Sequence, residues 1–234
     1  MLKKRIIFAL LYSDGYFHLS RNFRLQKVGD LNWLINNFGF GETCHFIDEL
    51  TCILVKENPT SDDKKKFLKD IEKLRKKIFV PLTIGGGISN LDDVKNYFLN
   101  GADKILINSN IYNKGLMETI VEDWGKQSIS IMIDCIKNED NNDYKIMINC
   151  GKIFRLNLRE FVNIYFDKPN YGEIIVNSID NDGNGAGLDL NIIDILPDTI
   201  KSPILLMGGA GKPEHIFLGL NEKKISGVVT ANLF

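Results

Sequence analysis

Two glycine-rich turns, Thr83-Ile84-Gly85-Gly86-Gly87-Ile88 and Leu206-Met207-Gly208-Gly209-Ala210-Gly211-Lys212, each close a short apolar run and each precede a helix-like stretch. Glycine lets a backbone come close to a ligand, and the helix N-terminus that follows adds N–H groups and a favourable dipole. The chemistry on offer is the holding of a phosphate or another anion. A single such cluster is as well explained by a tight turn, whereas two in corresponding places favour a pair of anion grips. Gly86 and Gly87 with Asn108 and Ser109 would form one grip, and Gly208 and Gly209 with Ala231 and Asn232 the other.

Other landmarks recur with the turns at an offset of about 123 positions. Glu49 pairs with Glu173, and Ile107-Asn108-Ser109 pairs with Thr230-Ala231-Asn232. The chain therefore reads as one domain over residues 1–234, made of two copies of one half, 1–124 and 125–234. With 234 residues and 44% hydrophobic content it can bury a sizeable core. Eight runs read as strands: Arg5 to Leu11, Leu50 to Val55, Val80 to Ile84, Lys104 to Ile107, Ser128 to Ile133, Glu173 to Asn177, Pro203 to Met207 and Gly227 to Thr230. Helical periodicity fills the intervals over Ser61–Lys77, Lys114–Trp124, Leu158–Phe166, Leu190–Leu196 and Pro213–Leu220. Ser89 and Asp92 resemble a capping box for a helix running to Leu99. Tyr144–Ile148 and Ile153–Arg155 look like an inserted hairpin. This alternation predicts an α/β fold, a (β/α)₈ TIM barrel, with a doubly wound open sheet as the alternative. The sequence reaches Phe234 directly after the eighth strand, so an outer eighth helix is expected to be missing: either its seam is covered by a partner or another part of the chain, or the sequence is cut short.

Charge and composition narrow the function. Lysine plus arginine, 29, nearly cancel aspartate plus glutamate, 30, so no global field would hold nucleic acid or an acidic membrane surface. No signal peptide or membrane-spanning run is evident, and a cytoplasmic location is expected. Cys44, Cys52, Cys135 and Cys150 lack paired metal-ligand spacing and read as buried thiols, and His18, His45 and His215 fall in unrelated segments. Neither a metal nor a cofactor is implied. The run Lys64-Lys65-Lys66 reads as a solvated helix face.

Over essentially its whole length the chain resembles the cyclase subunit of imidazole glycerol phosphate synthase. The matching strings are Met1-Leu2-Lys3-Lys4-Arg5-Ile6-Ile7, Ile47-Asp48-Glu49-Leu50, Gly85-Gly86-Gly87-Ile88, Gly101-Ala102-Asp103-Lys104, Ile133-Asp134, Gly172-Glu173-Ile174, Ser178 to Gly183, and Gly208-Gly209-Ala210-Gly211-Lys212. The resemblance implies a half-barrel duplication, two phosphate sites and a glutaminase subunit docked at the amino-terminal face as a heterodimer. It implies that Arg5, Glu49, Lys104 and Glu173 form a charged ring that admits ammonia. Without the resemblance, a structural salt-bridge layer explains them better. By the same match Asp103 lies near the partner interface, Asp182 and Gly183 belong to the phosphate-side loop after strand six, and Asp134 is one of two catalytic aspartates.

The second aspartate is absent. Its position holds Leu11, a lysine expected near the substrate is Leu19, a strand-two aspartate aligns with Leu54, and a polar strand-four position is Leu106. Leucine cannot transfer a proton, and general acid–base ring closure needs transfers at both ends of the substrate. Asp14 reads as a loop anchor and Asp180 as a residue that orders its loop. The pattern is similar to the cyclase-like paralogues that serve sugar amidation in surface-polysaccharide synthesis. The reading placed first is an ammonia-channelling subunit acting with a glutaminase, a phosphorylated small molecule and a sugar amidotransferase. The alternatives are a histidine-pathway cyclase and a scaffold that activates a glutaminase without chemistry of its own.

Overall fold

The computed structural model describes residues 3–39, 45–166, 169, 171–198 and 200–231. The first half runs β1 (Arg5–Ser13), β2 (Tyr16–Arg21), β3 (Arg24–Gly29), α1 (Leu31–Phe38), β4 (Glu49–Leu54), α2 (Ser61–Arg75), β5 (Leu82–Gly85), α3 (Leu91–Leu99), β6 (Lys104–Ile107) and α4 (Lys114–Trp124). The second half follows with β7 (Ile129–Asn138), β8 (Asp143–Ile148), β9 (Ile153–Asn157), α5 (Leu158–Tyr165), β10 (Glu173–Ser178), a 3₁₀ turn (Leu190–Asp194), β11 (Ile204–Met207), α6 (Pro213–Asn221) and β12 (Ile225–Thr230). Both halves therefore place a hairpin and a helix after their first strand.

Eight strands, β1, β4, β5, β6, β7, β10, β11 and β12, pair in parallel, and the pairing of β12 with β1 closes them into a barrel. The continuous apolar runs follow from this closure, because each strand is buried on both faces. Leu50, Cys52, Ile84, Ile105, Ile133 and Val176 face the helices. Ile7, Ala9, Leu106, Met132, Ile175 and Val229 fill the inside of the barrel. Gly85 has a packing reason as well as a turn: a Cβ there would sit 2.6 Å from the Cβ of Leu106.

The helices form where periodicity and caps coincide. In α2, Phe67, Leu68, Ile71 and Leu74 make one buried face, and a Thr60–Asp63 capping box starts it. The cap of α3 lies one residue beyond the expected Ser89–Asp92 pair. Asn90 accepts from the Asp93 N–H, and the Asp93 carboxylate accepts from both the N–H and the hydroxyl of Ser89. The expected helix over Leu190–Leu196 is a 3₁₀ turn, capped by the Asp189 carboxylate on the N–H of Asn191. The expected second hairpin is β8–β9, and α1 and the first hairpin were not anticipated. Among the described residues no helix follows β12, and none is long and apolar enough to cross a membrane.

The β2–β3 hairpin folds back across the carboxyl-terminal mouth of the barrel. Its tip, Asn22 and Phe23, has positive φ at both residues, as a tight two-residue connection requires. The tip is latched to the loop after β10: Asn22 N–H donates to the Asp182 carbonyl at 2.9 Å, and Phe23 N–H donates to the Asp182 carboxylate at 3.0 Å. Gly183, at φ +66, lies directly under this hairpin; a Cβ there would stand 1.8 Å from the Ser20 carbonyl oxygen. Gly183→Ala is therefore expected to open the latch. The cost should exceed the roughly 1 kcal/mol of a strained left-handed residue, and proteolytic cleavage within residues 16–29 should accelerate. Gly39→Ala, at φ +52 with nothing within 4 Å, is the control and should show the strain cost alone.

Candidate functional site

The amino-terminal end of the barrel is closed by four charges in a ring. Arg5 donates to Glu49 and, at 2.8 Å, to Glu173, while the Lys104 ammonium reaches Glu49 at 2.9 Å and Glu173 at 2.8 Å. Each comes from the first residue of a barrel strand, so β1, β4, β6 and β10 bring together residues that lie far apart in the chain. Every carboxylate meets two cations and every cation two carboxylates, which is the condition under which buried charge is tolerated. Burial acts to raise the Glu173 carboxyl, but Lys104 and Arg5 outweigh it and hold it below the ordinary glutamate range. Asp103 lies at the same end. Its carboxylate accepts from the Leu82 N–H at 2.7 Å and from Arg75 at 3.4 Å, tying β5 to β6.

The opposite end opens into a cleft of about 410 Å³. Of the residues singled out by sequence, Gly86, Gly87, Asn108, Ser109, Asp134 and Asp182 line it together. Asp134 is 6% exposed, with Asn108 Nδ2 donating to it at 3.0 Å and Asn177 Nδ2 at 2.9 Å. Burial pushes its carboxyl up to about 6; the two amide donors oppose the shift and the nearby Asp182 charge adds to it. Such a group changes protonation close to neutrality, as an acid–base residue must. Leu11 stands in the equivalent place on β1, also at the cleft.

The first glycine turn faces this space. The Tyr97 hydroxyl, outside the barrel, donates to the Gly86 carbonyl. Across a trans peptide the Gly87 N–H then points away from Tyr97, and Gly87 lines the cleft. Two lysines that sequence reasoning left out of the site also line it. Lys64 pairs with Asp93 at 2.8 Å with both side chains largely buried, and Lys56 bridges Asp14 and Asp63, each at 2.8 Å. The expectation of a wholly solvated lysine face on α2 is thus corrected for Lys64, whose position on the helix turns it to the mouth. Lys66 also reaches a loop at the mouth, the Asp14 carbonyl, at 3.3 Å. The capping-box Asp63 and the buried, cap-linked Asp93 were the available signal.

Other expectations resolve differently. Asp182 accepts from Ser20 and Phe23, so its carboxylate latches the hairpin, and an acceptor-only group of this kind offers nothing to a phosphate. Gly183 lies under the same latch, and Gly183, Gly208, Gly209 and Ala231 do not line the cleft. Asn232 lies outside the described residues, as does Cys44. Leu54 lines the cleft with Ile53, but it packs in the layer against the helices, whereas Ile53 belongs to the cluster inside the barrel. Leu19 is 42% exposed on the hairpin and does not line the cleft, whereas Ser20, Phe23 and Leu25 do. Cys52 and Cys135 are buried, and Cys150 sits half-buried at the rim. His18 lies against the Tyr16 carbonyl at 3.0 Å, and His215 Nδ1 accepts from the Gly211 N–H.

A family model described as histidine biosynthesis protein matches residues 51–234. The "Putative imidazole glycerol phosphate synthase subunit hisF2" of Parasynechococcus marenigrum (strain WH8102) is 41% identical over 235 residues, covering 100% of this chain and 86% of that protein. This chain belongs to the HisF family. The imidazole glycerol phosphate synthase subunit HisF of Microcystis aeruginosa (strain NIES-843 / IAM M-2473) is 32% identical over 244 residues, and that of Chlorobium limicola (strain DSM 245 / NBRC 103803 / 6330) 30% over 238. Each alignment covers 100% of this chain and 91% of the relative.

Two outcomes test this HisF-type geometry. Lys104→Met leaves two carboxylates facing one arginine, and urea unfolding should show a loss of about 3–5 kcal/mol. For Asp134 the unfolded carboxyl ionises near pH 4 and the folded one near 6, so stability falls as pH rises through that interval. The stability of Asp134→Asn relative to the parent should therefore rise by about 2 kcal/mol between pH 4.5 and 7.5.

Proposed function

We propose that this chain is the ammonia-using subunit of a synthase of the imidazole glycerol phosphate synthase type. A glutaminase subunit docks at its amino-terminal face, ammonia enters under the Arg5–Glu49–Lys104–Glu173 ring, and a phosphorylated ligand waits over Asp134. The observation that carries this reading is the stacking of the two features. A closed ring of four charges lies at one end of the barrel, and an aspartate poised near pH 6 lies at the other. Exposed Phe46 and Phe79, in the loops leading into β4 and β5 on the ring's side, give a partner apolar contacts. Gly87, Ser109 and Lys64 receive a phosphate, and Asp134 exchanges the proton.

The names of the relatives support ring formation in histidine biosynthesis as the reaction. None of those named here mentions a polysaccharide, so amidation of a sugar with a sugar amidotransferase rests on the resemblance alone. One observation does favour a reaction other than cyclisation: Leu11 occupies the place on β1 that Asp134 occupies on β7. A single aspartate serves one proton transfer, and two-ended cyclisation needs a second donor.

The purified chain, with its glutaminase or with ammonium salt, should be assayed on the ribulosyl aminoimidazole carboxamide bisphosphate substrate. Turnover lost in Asp134→Asn by at least about a hundredfold would establish the cyclase reading. No turnover in the parent, with detectable turnover in Leu11→Asp, would instead favour ammonia delivery to another acceptor. Absence of any complex with a glutaminase and of any ammonia-dependent product would sink the proposal.

A further inference from the structure

Three buried side-chain atoms among the described residues have no hydrogen-bond partner in the chain: the Tyr112 hydroxyl, Ser130 Oγ and Asn177 Oδ1. Tyr112 lies outside the barrel, on a 3₁₀ turn after β6 that packs in the helix layer. The other two lie inside, on one strand pair. Ser130 stands on β7 opposite Glu173 of the ring, and further along β7 Asp134 stands opposite Asn177 of β10. Met132 and Ile175, also paired, separate the two polar levels. We infer that the β7–β10 pair carries two seats for a small neutral hydrogen-bonding molecule, water or ammonia: one on Ser130 above the ring, the other on Asn177 beside Asp134.

The lower seat is the more enclosed. Ser130 is fully buried, and its register neighbours are Glu173 on one side and Leu106 on the other, so its side chain faces into the barrel with theirs. A serine hydroxyl has one donor and two acceptor sites, and burying all of them unpaired is costly. Glu173 does not serve it, since its oxygens receive Arg5 and Lys104. A carboxylate oxygen can nevertheless accept a further hydrogen bond, and the Lys104 ammonium has a third N–H beyond those given to Glu49 and Glu173. A molecule on Ser130 is thus offered donors and acceptors by the ring as well, which is what a buried water needs.

The occupant is neutral. The barrel interior above the ring is packed with Ile7, Leu106, Met132, Ile175 and Val229, and a cation there would leave carboxylates that Arg5 and Lys104 already hold. At the upper seat Asn177 Nδ2 is spent on Asp134, which leaves the amide oxygen and the carboxylate as neighbouring acceptors. Both take N–H or O–H donors, which water and ammonia supply. The seats lie about 13 Å apart along the strands, and the flexible Met132 is the side chain of the intervening level best able to move aside. Ammonia as the occupant rests on the reading of this chain as an ammonia-using subunit; the seats themselves do not.

A high-resolution crystal structure of the purified chain tests this. One peak of density is expected within about 3.2 Å of Ser130 Oγ, and another within the same reach of Asn177 Oδ1. Ser130→Ala deletes an unpaired hydroxyl and should fold as the parent does, yet lose the first peak; Ser130→Thr should keep it. A complex with a glutaminase separates the two occupants. If ammonia uses the seat, Ser130→Ala lowers product formed from glutamine, relative to product formed from saturating ammonium salt entering by the open cleft, by at least about fivefold. Ser130→Thr then restores the ratio, whereas an unchanged ratio in Ser130→Ala assigns the seat to water. A parent without the peak at Ser130 or at Asn177, or a Ser130→Ala variant that keeps the first peak, overturns the inference. Absence of any ammonia-dependent product from the parent removes the functional reading and leaves the density result standing.

Discussion

The closed ring of Arg5, Glu49, Lys104 and Glu173 is the constraint around which the rest of the barrel is arranged. Four side chains lose most of their water at one end of a cylinder, and only the alternation of sign makes that tolerable. Alternation in turn requires the first residues of β1, β4, β6 and β10 to meet at one end of the barrel, which the stagger of the strands achieves by pairing Glu49 with Ile7 and not with Arg5. The inward positions are then set two residues at a time up each strand. Ile7, Ala9 and Leu11 on β1, and Ile175 and Asn177 on β10, follow from where Arg5 and Glu173 must sit. The cleft at the far end is thus indexed to the ring at the near end.

Strand runs and the glycine turns were legible in the sequence because they are local. A parallel barrel strand is a short apolar run ending in a turn, and helix α2 announces itself by spacing and a cap. The β2–β3 hairpin was not legible in the same way. Its exposed and half-buried residues alternate without a strong apolar face, and it is held by Asp182, about 160 positions away. The internal repeat did contain the signal. The second half's β8–β9 hairpin was recognised from its own residues, and the duplication implied a counterpart after β1.

The site was legible in part for a related reason. Residue types identified Gly86, Gly87 and Asn108, since a turn at the end of a strand lies at the mouth by construction, and the family resemblance pointed to Asp134. They did not identify which face of β4 looks inward, and Ile53 rather than Leu54 does so. Nor did they separate Lys64 from Lys65, neighbours of identical type. One is buried against Asp93 at the cleft and the other is 80% exposed beside Asp62. Helical rotation of 100° per residue makes that difference, and it shows only once the angle of α2 on the barrel is known.

The repeat also makes the departures informative. In a duplicated barrel the two halves start with the same equipment, so a difference between equivalent places marks a change in what each half does. Asp134 keeps two amide donors, Asn108 from the strand on one side and Asn177 from the strand on the other. Leu11 sits in the same layer between the ends of β12 and β4, with Ile53 beside it. An isolated loss of one carboxylate would leave its polar neighbours behind, unpaired. Ile53 pairs with Leu11 where Asn177 pairs with Asp134, so on that side no polar neighbour is left unpaired. The two halves of the mouth therefore differ at equivalent positions, Leu11 and Ile53 being apolar where Asp134 and Asn177 are polar.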